Sequence, residues 1–163
     1  ARALKRLAAN TSKLGVGDKA IDLNPAGTDV VIEAKSFRDR DFVLFVGERA
    51  PGQQRLYHVT ATSTAVVGAE DFVSAIAADG NDEPNHFLLD PAGSDVYFKC
   101  RTAGDVYRVC RWTIGGAVVT GPLFVVNDAA TDDPLLLGFY GDYLVFVADN
   151  ATGGRSLYLY NPN

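Results

Sequence analysis

Two acidic loops carry the side chains with the clearest potential for chemistry. The first, AADGNDEP, spans residues 77–84, and the second, NDAATDDP, spans residues 127–134. Closely spaced carboxylate and amide oxygens are the ligands that Ca²⁺ prefers, so the first loop predicts a calcium site. Its candidate ligands are Asp79, Asn81, Asp82 and Glu83. The order of an EF-hand loop is absent, and Asp and Asn before a proline also build plain turns. Both interpretations stay open, and no other cofactor is expected.

Cys100 and Cys110 flank the turn at residues 103–105, one on each arm of a predicted hairpin. Their positions have the same parity about the loop, although only a turn centred on Asp105 places them directly opposite each other. The spacing therefore allows a disulfide. Two buried free thiols, packed as small hydrophobic side chains, are the alternative.

Aromatic residues recur at regular intervals. Tyr57, Tyr107 and Tyr158 stand in the strings RLYHV, DVYRV and SLYLY, at spacings of 50 and 51 residues. Together with Trp112 they are candidates for an aromatic platform that binds a glycan or a peptide. A tyrosine repeated at one strand position is also typical of packing between sheets, with its hydroxyl hydrogen-bonded at the rim.

Catalytic motifs are missing from the sequence. The two histidines, His58 and His86, lie in predicted strands without the spacing of a zinc site. A nucleophile elbow of the form G-x-S-x-G does not occur. We therefore expect a protein that is not an enzyme.

One hairpin is written twice in this chain, as DFVLFVGERAPGQQRLY at residues 41–57 and DYLVFVADNATGGRSLY at 142–158. A third copy, VYFKCRTAGDVY at 96–107, has a turn that the sequence alignment makes three residues shorter. Each copy brackets a Gly-containing turn between apolar runs, which predicts a β-hairpin. With its flanking strands, one unit holds four strands in about 50 residues.

The apolar runs FVLFV (42–46) and YLVFV (143–147) do not alternate with polar residues. Such strands require burial on both faces of the sheet. Stacked propeller blades supply that burial. The sequence therefore predicts an all-β stack of about three four-stranded antiparallel blades, with a β-sandwich as the alternative.

The segment PNHFLLDPAGSDVYF (84–98), followed by AGDVYRVCRW (103–112), resembles the TolB-like repeat, also called the WD40-like PD40 repeat. The positions that match its pattern are Pro84, Phe87, Pro91, Gly93, Val96, Phe98, Gly104, Val106 and Tyr107. The departures include Ala92 where the pattern has Asp. The resemblance implies a β-propeller, and it leaves the chemistry open because that family spans scaffolds and peptidase domains.

Organisation along the chain follows from the repeat. Residues 1–19 form a leader, either a short helix or an irregular tether, and residues 20–163 hold the propeller-like repeats. The expected units are roughly 20–33, 37–83, 84–133 and 134–163. Propellers close with four to eight blades, so we expect part of a larger propeller. Its terminal blades would be covered by a protein partner or by self-association.

Composition limits the partners. The net charge of −5 and the pI near 4.9 disfavour nucleic acid and anionic membranes, which require clustered positive charge. No run is long and apolar enough for a membrane span. The N-glycosylation sequons at Asn10 and Asn150 favour an extracytoplasmic location, periplasmic or secreted.

The resulting expectation is a non-catalytic binding or assembly module that recognises a protein or a glycan through loops at one rim of the stacked sheets. Two alternatives stay open. In the first, the chain is the non-catalytic propeller portion of a processed hydrolase or other enzyme. In the second, it is a structural component of a large assembly.

Overall fold

Every regular element in the described part of the chain is a β-strand. The computed structural model describes residues 30–37, 42–48, 51–60, 81–102, 105–116, 119–128 and 131–163. The strands are β1 (Val30–Ser36), β2 (Phe42–Glu48), β3 (Gln54–Thr60), β4 (Asn85–Leu89), β5 (Asp95–Arg101), β6 (Tyr107–Thr113), β7 (Val119–Thr120), β8 (Leu135–Tyr140), β9 (Tyr143–Asp149) and β10 (Arg155–Tyr160). The all-β prediction is confirmed for these residues.

The strands form three small antiparallel sheets in which chain neighbours pair. Sheet 1 has the order β1-β2-β3, sheet 2 has the order β4-β5-β6-β7, and sheet 3 has the order β10-β9-β8. The sequence predicted four strands in every sheet. Among the described residues only sheet 2 has four, and the three sheets do not close into a ring.

A β-bulge interrupts the first strand of each sheet. The register shifts between residues 31 and 33 of β1, between 85 and 88 of β4, and between 136 and 138 of β8. In each case the first strand carries one residue more than its partner, which is the definition of a bulge. Because bulges are specific features of a backbone, their recurrence supports the repeat read from the sequence.

The three hairpins have the same loop length. Five residues separate the closing pairs Glu48–Gln54, Arg101–Tyr107 and Asp149–Arg155. The expectation of a middle turn shorter by three residues is therefore wrong. The register instead places Cys110 opposite Phe98, at the position that a tyrosine holds in the other two hairpins. Tyr107 lies at the start of its strand, three residues before that position. The sequence alignment differed by three residues because it matched the tyrosines rather than the turns.

The chain divides into two compact units, Ala1–Asp71 and Phe72–Asn163, and sheet 1 lies in the first. Its middle strand β2 is buried on both faces. Phe45 packs on Tyr57 on one face, with ring centroids 5.3 Å apart, and Leu44 and Val46 are buried on the other. The run FVLFV therefore has the two-sided burial that its composition predicts.

Strand β1 pairs with β2 from Val30 onward. Residues 30–33 therefore belong to the same sheet as residues 42–48, although the sequence placed a unit boundary between them. The expected leader, residues 1–19, lies outside the described residues.

In the second unit, sheet 3 stacks on sheet 2. Tyr97 and Val109 of sheet 2 are buried against Leu144 and Phe146 of sheet 3. Aromatic contacts extend this core, because the ring of Phe124 lies 5.0 Å from that of Phe146. Sheet 2 is buried on its other face as well. The residues of that face are Val96, Phe98, Cys100, Cys110 and Trp112.

Candidate protein-docking face

Sheet 3 has one buried face and one exposed apolar face. We call the second the outer face; it consists of Leu135, Tyr140, Tyr143, Val145, Val147, Leu157 and Leu159. The pairing of the strands aligns Leu135, Val147 and Leu157 in one row across the sheet. Leu157 is 61 % exposed and Leu159 is 58 % exposed. An apolar surface that extends over three strands is a candidate interaction site.

The closing pairs of the hairpins relate the outer face to sheet 2. Arg101 and Tyr107 correspond to Asp149 and Arg155, which is an offset of 48 residues. By this offset Tyr97 corresponds to Val145, and Val109 corresponds to Leu157. Because Tyr97 and Val109 are the residues that sheet 3 covers, the outer face is equivalent to a face that is buried one sheet earlier.

A buried ion pair joins the two stacked sheets. Arg108 of β6 places Nη1 2.5 Å from Oδ1 of Asp132, which is fully buried. The same carboxylate accepts the backbone N–H groups of Val126 and Asn127, the latter at 2.7 Å. The carbonyl of Asp132 accepts the backbone N–H of Asp149 at 2.7 Å. These bonds connect β6, the segment before β8, and β9.

A second, more exposed set of charges lies beside this pair. The Lys99 ammonium hydrogen-bonds the Asp133 carboxylate and lies 4.4 Å from the centroid of the Tyr107 ring. Arg155 Nη1 lies 3.4 Å from the same carboxylate. The hydrogen bond from Lys99 and the positive charges of Lys99 and Arg155 hold the pKa of Asp133 below its usual value.

The outer face has no counterpart of these cations. The offset of 48 residues places Val147 at the position of Lys99 and Leu159 at the position of Arg111. Ser156, at the position of Arg108, lies on the buried face of sheet 3 beside Ala148. Ser156 is neutral, and its hydroxyl accepts a hydrogen bond from Asn150. A partner for the outer face therefore meets no cation at the positions of Lys99 and Arg111. The cation on this side of β10 is Arg155, which pairs with Asp133 and Asp149.

The candidate calcium ligands make hydrogen bonds within the protein. Asn81 donates to Glu83 Oε1 at 2.7 Å, and Glu83 Oε2 accepts the Tyr107 hydroxyl. Asp82 is fully buried, and its carbonyl accepts the backbone N–H of Arg101 at 2.6 Å. Asp79 lies outside the described residues. Within the described ranges no three His, Cys, Asp or Glu side chains converge on one point, and calcium stays a prediction.

The hydrogen bond to Glu83 and burial raise the pKa of Tyr107 to about 12. The second acidic residue of the repeated loop, Glu83 in one copy and Asp133 in the other, therefore has different partners in the two copies. Glu83 accepts a tyrosine hydroxyl, whereas Asp133 at the equivalent place accepts two cations. Both residues have left-handed backbone φ angles, 43° and 40°.

Cys100 and Cys110 are joined by a disulfide, with Cα atoms 5.9 Å apart. They are not directly opposite, because Cys110 pairs with Phe98 and Cys100 pairs with Arg108. The bond therefore runs diagonally across the hairpin, between side chains on the same face. No free cysteine occurs in the described part of the chain.

The four aromatic candidates lie in different surroundings. Tyr57 and Trp112 are each 1 % exposed, and Trp112 Nε1 donates to the Gly116 carbonyl. Tyr158 packs on Phe146 with ring centroids 5.5 Å apart, within the core between sheets 2 and 3. These three rings are engaged in packing, which is the second role that the sequence allowed.

The histidines also lie apart. His58 is part-buried on β3, and His86 is exposed in the bulge of β4, where its φ is 57°. His86 is the most weakly acting of the groups that lower the pKa of Asp133.

A small cleft of about 120 Å³ opens between the β4–β5 turn and the chain near Pro162. Its wall includes Asp90, Asp95 and Arg111. Asp90 accepts the backbone N–H groups of Ser94 and Asp95, so its carboxylate builds the turn. The acids of this cleft therefore have structural roles.

Sequence reasoning did not single out the outer face. In RSLYLY (155–160) one side carries Arg155, Leu157 and Leu159 and the other carries Ser156, Tyr158 and Tyr160, so polarity does not separate the exposed side from the buried side. The available signal was the repeat itself. Aligning the turns rather than the tyrosines would have matched Leu157 with Val109.

Comparison with known protein families found no family model that matches the chain, and no curated protein matches its sequence. The described residues include no helix with the length and apolar character that crossing a membrane requires.

Proposed function

We propose that this chain is a non-catalytic assembly module, and that the outer face of sheet 3 docks a β-sheet of another protein chain. The observation that carries the proposal is the exposure of Leu157 beside the burial of its equivalent, Val109. Sheet 3 itself provides the example of a suitable partner, because it covers Val109 with the side chains of Leu144 and Phe146.

The chemistry of the outer face defines the partner further. Leu135, Val147 and Leu157 offer a row of aliphatic side chains, with Arg155 beside it at the start of β10. Burial of such surface stabilises a complex by about 25 cal/mol per Å² before the costs of association are subtracted. The proposed partner is therefore a sheet with an apolar face.

A propeller-type stack is the architecture that we propose for the assembled protein. Three observations support it: the recurring bulge in the first strand, the equal hairpins, and the stacking of sheet 3 on sheet 2. The resemblance to the TolB-like repeat leads to the same architecture. In this proposal the partner supplies the next blade.

An extracytoplasmic location accompanies the proposal. Disulfides persist mainly in oxidising compartments, and the bond between Cys100 and Cys110 supports such a location.

Sedimentation equilibrium tests the docking face. An uncovered apolar face is expected to associate weakly with copies of itself, so the mass of the isolated chain should rise above 17.4 kDa with concentration. Leu135→Lys and Leu157→Lys should each abolish the rise and lower the fluorescence of a bound hydrophobic dye.

Val125→Lys is the matched control, because Val125 is an exposed apolar residue outside the outer face. It should leave the association unchanged. A mass and dye signal that are equal in the three variants and in the wild type would contradict the docking face.

A further inference from the structure

The free edge of β10 is a second feature that no function has yet been given. In sheet 2 the corresponding edge, on β6, is covered along its length. Strand β7 pairs Thr120 with Arg111, and farther along the backbone N–H of Leu123 donates to the Val109 carbonyl at 3.0 Å. At the far end the N–H of Asp132 donates to the Tyr107 carbonyl at 3.2 Å. The edge of β6 thus has a partner at every second residue.

The same backbone groups point outward on β10. Residues 102 and 106 close the middle hairpin with a backbone hydrogen bond, and residues 150 and 154 close the last one in the same way. The hydrogen-bond patterns of the two hairpins therefore correspond residue by residue. In each strand, every second residue directs its backbone N–H and C=O groups away from the hairpin partner. The outward N–H and C=O groups of β6 belong to Tyr107, Val109 and Arg111. On β10 they belong to Arg155, Leu157 and Leu159.

Within the described residues, β10 pairs with β9 alone. No backbone hydrogen bond from a described residue outside the sheet reaches Arg155, Leu157 or Leu159. Natural proteins protect such edges with charges, prolines or short strands. β10 has six residues and a single charge, Arg155, at its first position. As far as the described residues extend, the edge is therefore open to strand pairing.

We propose that β10 accepts an extended segment of a separate protein, which pairs antiparallel to it in the place that β7 has beside β6. Main-chain hydrogen bonds to Leu157 and Leu159 supply the affinity, as in other cases of β-strand addition. Sheet 2 indicates the preferred sequence. Val119 is 9 % exposed opposite Trp112, so we expect an apolar β-branched residue opposite Tyr160.

This proposal goes beyond the docking face, because it depends on backbone groups at the edge rather than on side chains of the outer face. The two sites are contiguous at Leu157 and Leu159. A single partner sheet with a protruding strand can occupy both.

The probe for the experiment is a synthetic peptide with the chain's own sequence at 117–124, AVVTGPLF. Amide chemical shifts of the intact chain are followed as the peptide is added. The amides of Leu157 and Leu159 should shift and become protected from hydrogen exchange. The amides of Val109 and Arg111 should not respond, because the tethered copy of the segment competes at a high effective concentration.

Backbone methylation distinguishes strand pairing from apolar adhesion. At the Thr120 position of the peptide, N-methylation removes a hydrogen bond to the edge and should weaken binding at least about tenfold. At the Val119 position, the methyl group points away from the edge by the alternation of a strand, and affinity should be nearly unchanged.

Several outcomes would overturn the proposal. These are equal affinity for the two methylated peptides, the absence of binding, shifts confined to β6, and exchange protection of Leu157 and Leu159 in the chain alone. The titration is repeated on Leu135→Lys, which lacks part of the outer face and retains β10. Binding retained in this variant supports the edge even if the docking face fails its own test, and binding lost in it assigns the effect to the face.

Discussion

Sheets 2 and 3 are built from the same hairpin, yet one is buried on both faces and the other on only one. In sheet 2, Val96 and Phe98 are buried on one side of β5 while Tyr97 is buried on the other. In sheet 3, Phe146 is buried and Leu157 is largely exposed. The two sheets therefore differ in what covers them rather than in how they are made.

The difference in charge follows the difference in burial. On the face that sheet 3 covers, sheet 2 carries Lys99, whereas Val147 holds the equivalent position in sheet 3. Arg108 lies on the opposite face of sheet 2, beside Cys100, and Ser156 is its equivalent in sheet 3. A covered face can hold ions where paired carboxylates accept them, as Asp132 and Asp133 do. The outer face, where Val147 replaces Lys99, suits an apolar partner.

Among the substitutions that remove a single interaction, the largest expected effect is at the buried ion pair. Arg108→Leu should lower the free energy of unfolding by about 3–5 kcal/mol, because it leaves the Asp132 carboxylate buried without its cation. The double variant Arg108→Leu/Asp132→Asn should recover part of the loss, since no buried charge remains. The measurement is urea denaturation.

The equivalent position in sheet 3 supplies the control. Ser156→Ala removes one hydrogen bond, with Asn150, and should cost only about 0.5–1 kcal/mol. A cost for Arg108→Leu no larger than that of Ser156→Ala would show that the two sheets do not differ in this way.

The disulfide of sheet 2 gives the next largest effect. Replacing Cys100 and Cys110 by alanine opens a crosslink with a sequence separation of 10 residues. Loop-closure entropy predicts a loss of about 2–3 kcal/mol. Sheet 3 lacks this bond, because Ala148 and Tyr158 hold the equivalent positions. The exchange rates of its amide hydrogens should therefore change only as far as the loss of global stability requires. A double alanine variant with unchanged denaturation would contradict the prediction.

Tyr107 is expected to have a smaller, pH-dependent effect. Its pKa is raised from 10.0 to about 12 because its hydroxyl donates to Glu83. The stabilisation is therefore fully present below pH 10 and is lost as the pH rises through about 12. Tyr107→Phe should cost about 1 kcal/mol at neutral pH. The tyrosinate absorbance that Tyr107→Phe removes should appear near pH 12 when the wild type is titrated. Its appearance near pH 10 would contradict the hydrogen bond.

The smallest effect on stability is expected at the outer face. Leu157→Lys should change the free energy of unfolding by no more than about 0.5 kcal/mol, because its side chain is mostly in water. Val109→Lys, at the equivalent buried position, should prevent folding of the second unit or nearly so. Similar costs for the two variants would remove the difference between the sheets.

The repeat, the all-β composition and the hairpins could be predicted from sequence. The run FVLFV has the burial that its composition predicts, but YLVFV does not, because Val145 and Val147 lie on the outer face. An apolar strand predicts that its burial is favourable. It does not predict whether the residues that bury it belong to the same chain. That information is absent from local sequence.

Register was the second limit. Matching Tyr107 with Tyr57 and Tyr158 shifts the alignment of the middle hairpin by three residues. The identity of the tyrosines is conspicuous in the sequence, whereas the equal length of the turns becomes evident only from the strand pairing. The turn determines which residues face each other. The diagonal placement of Cys100 and Cys110, and the equivalence of Val109 and Leu157, both follow from the turn.

Hydroxyl-radical footprinting of the monomeric chain compares these two residues most directly. Oxidation of a side chain reports its contact with water, and Val109 and Leu157 hold equivalent places in sheets 2 and 3. At a concentration where the chain is monomeric, we predict rapid oxidation of Leu157 and protection of Val109. Protection of Leu157 equal to that of Val109 would show that the outer face is already covered, and would contradict its role as a docking face.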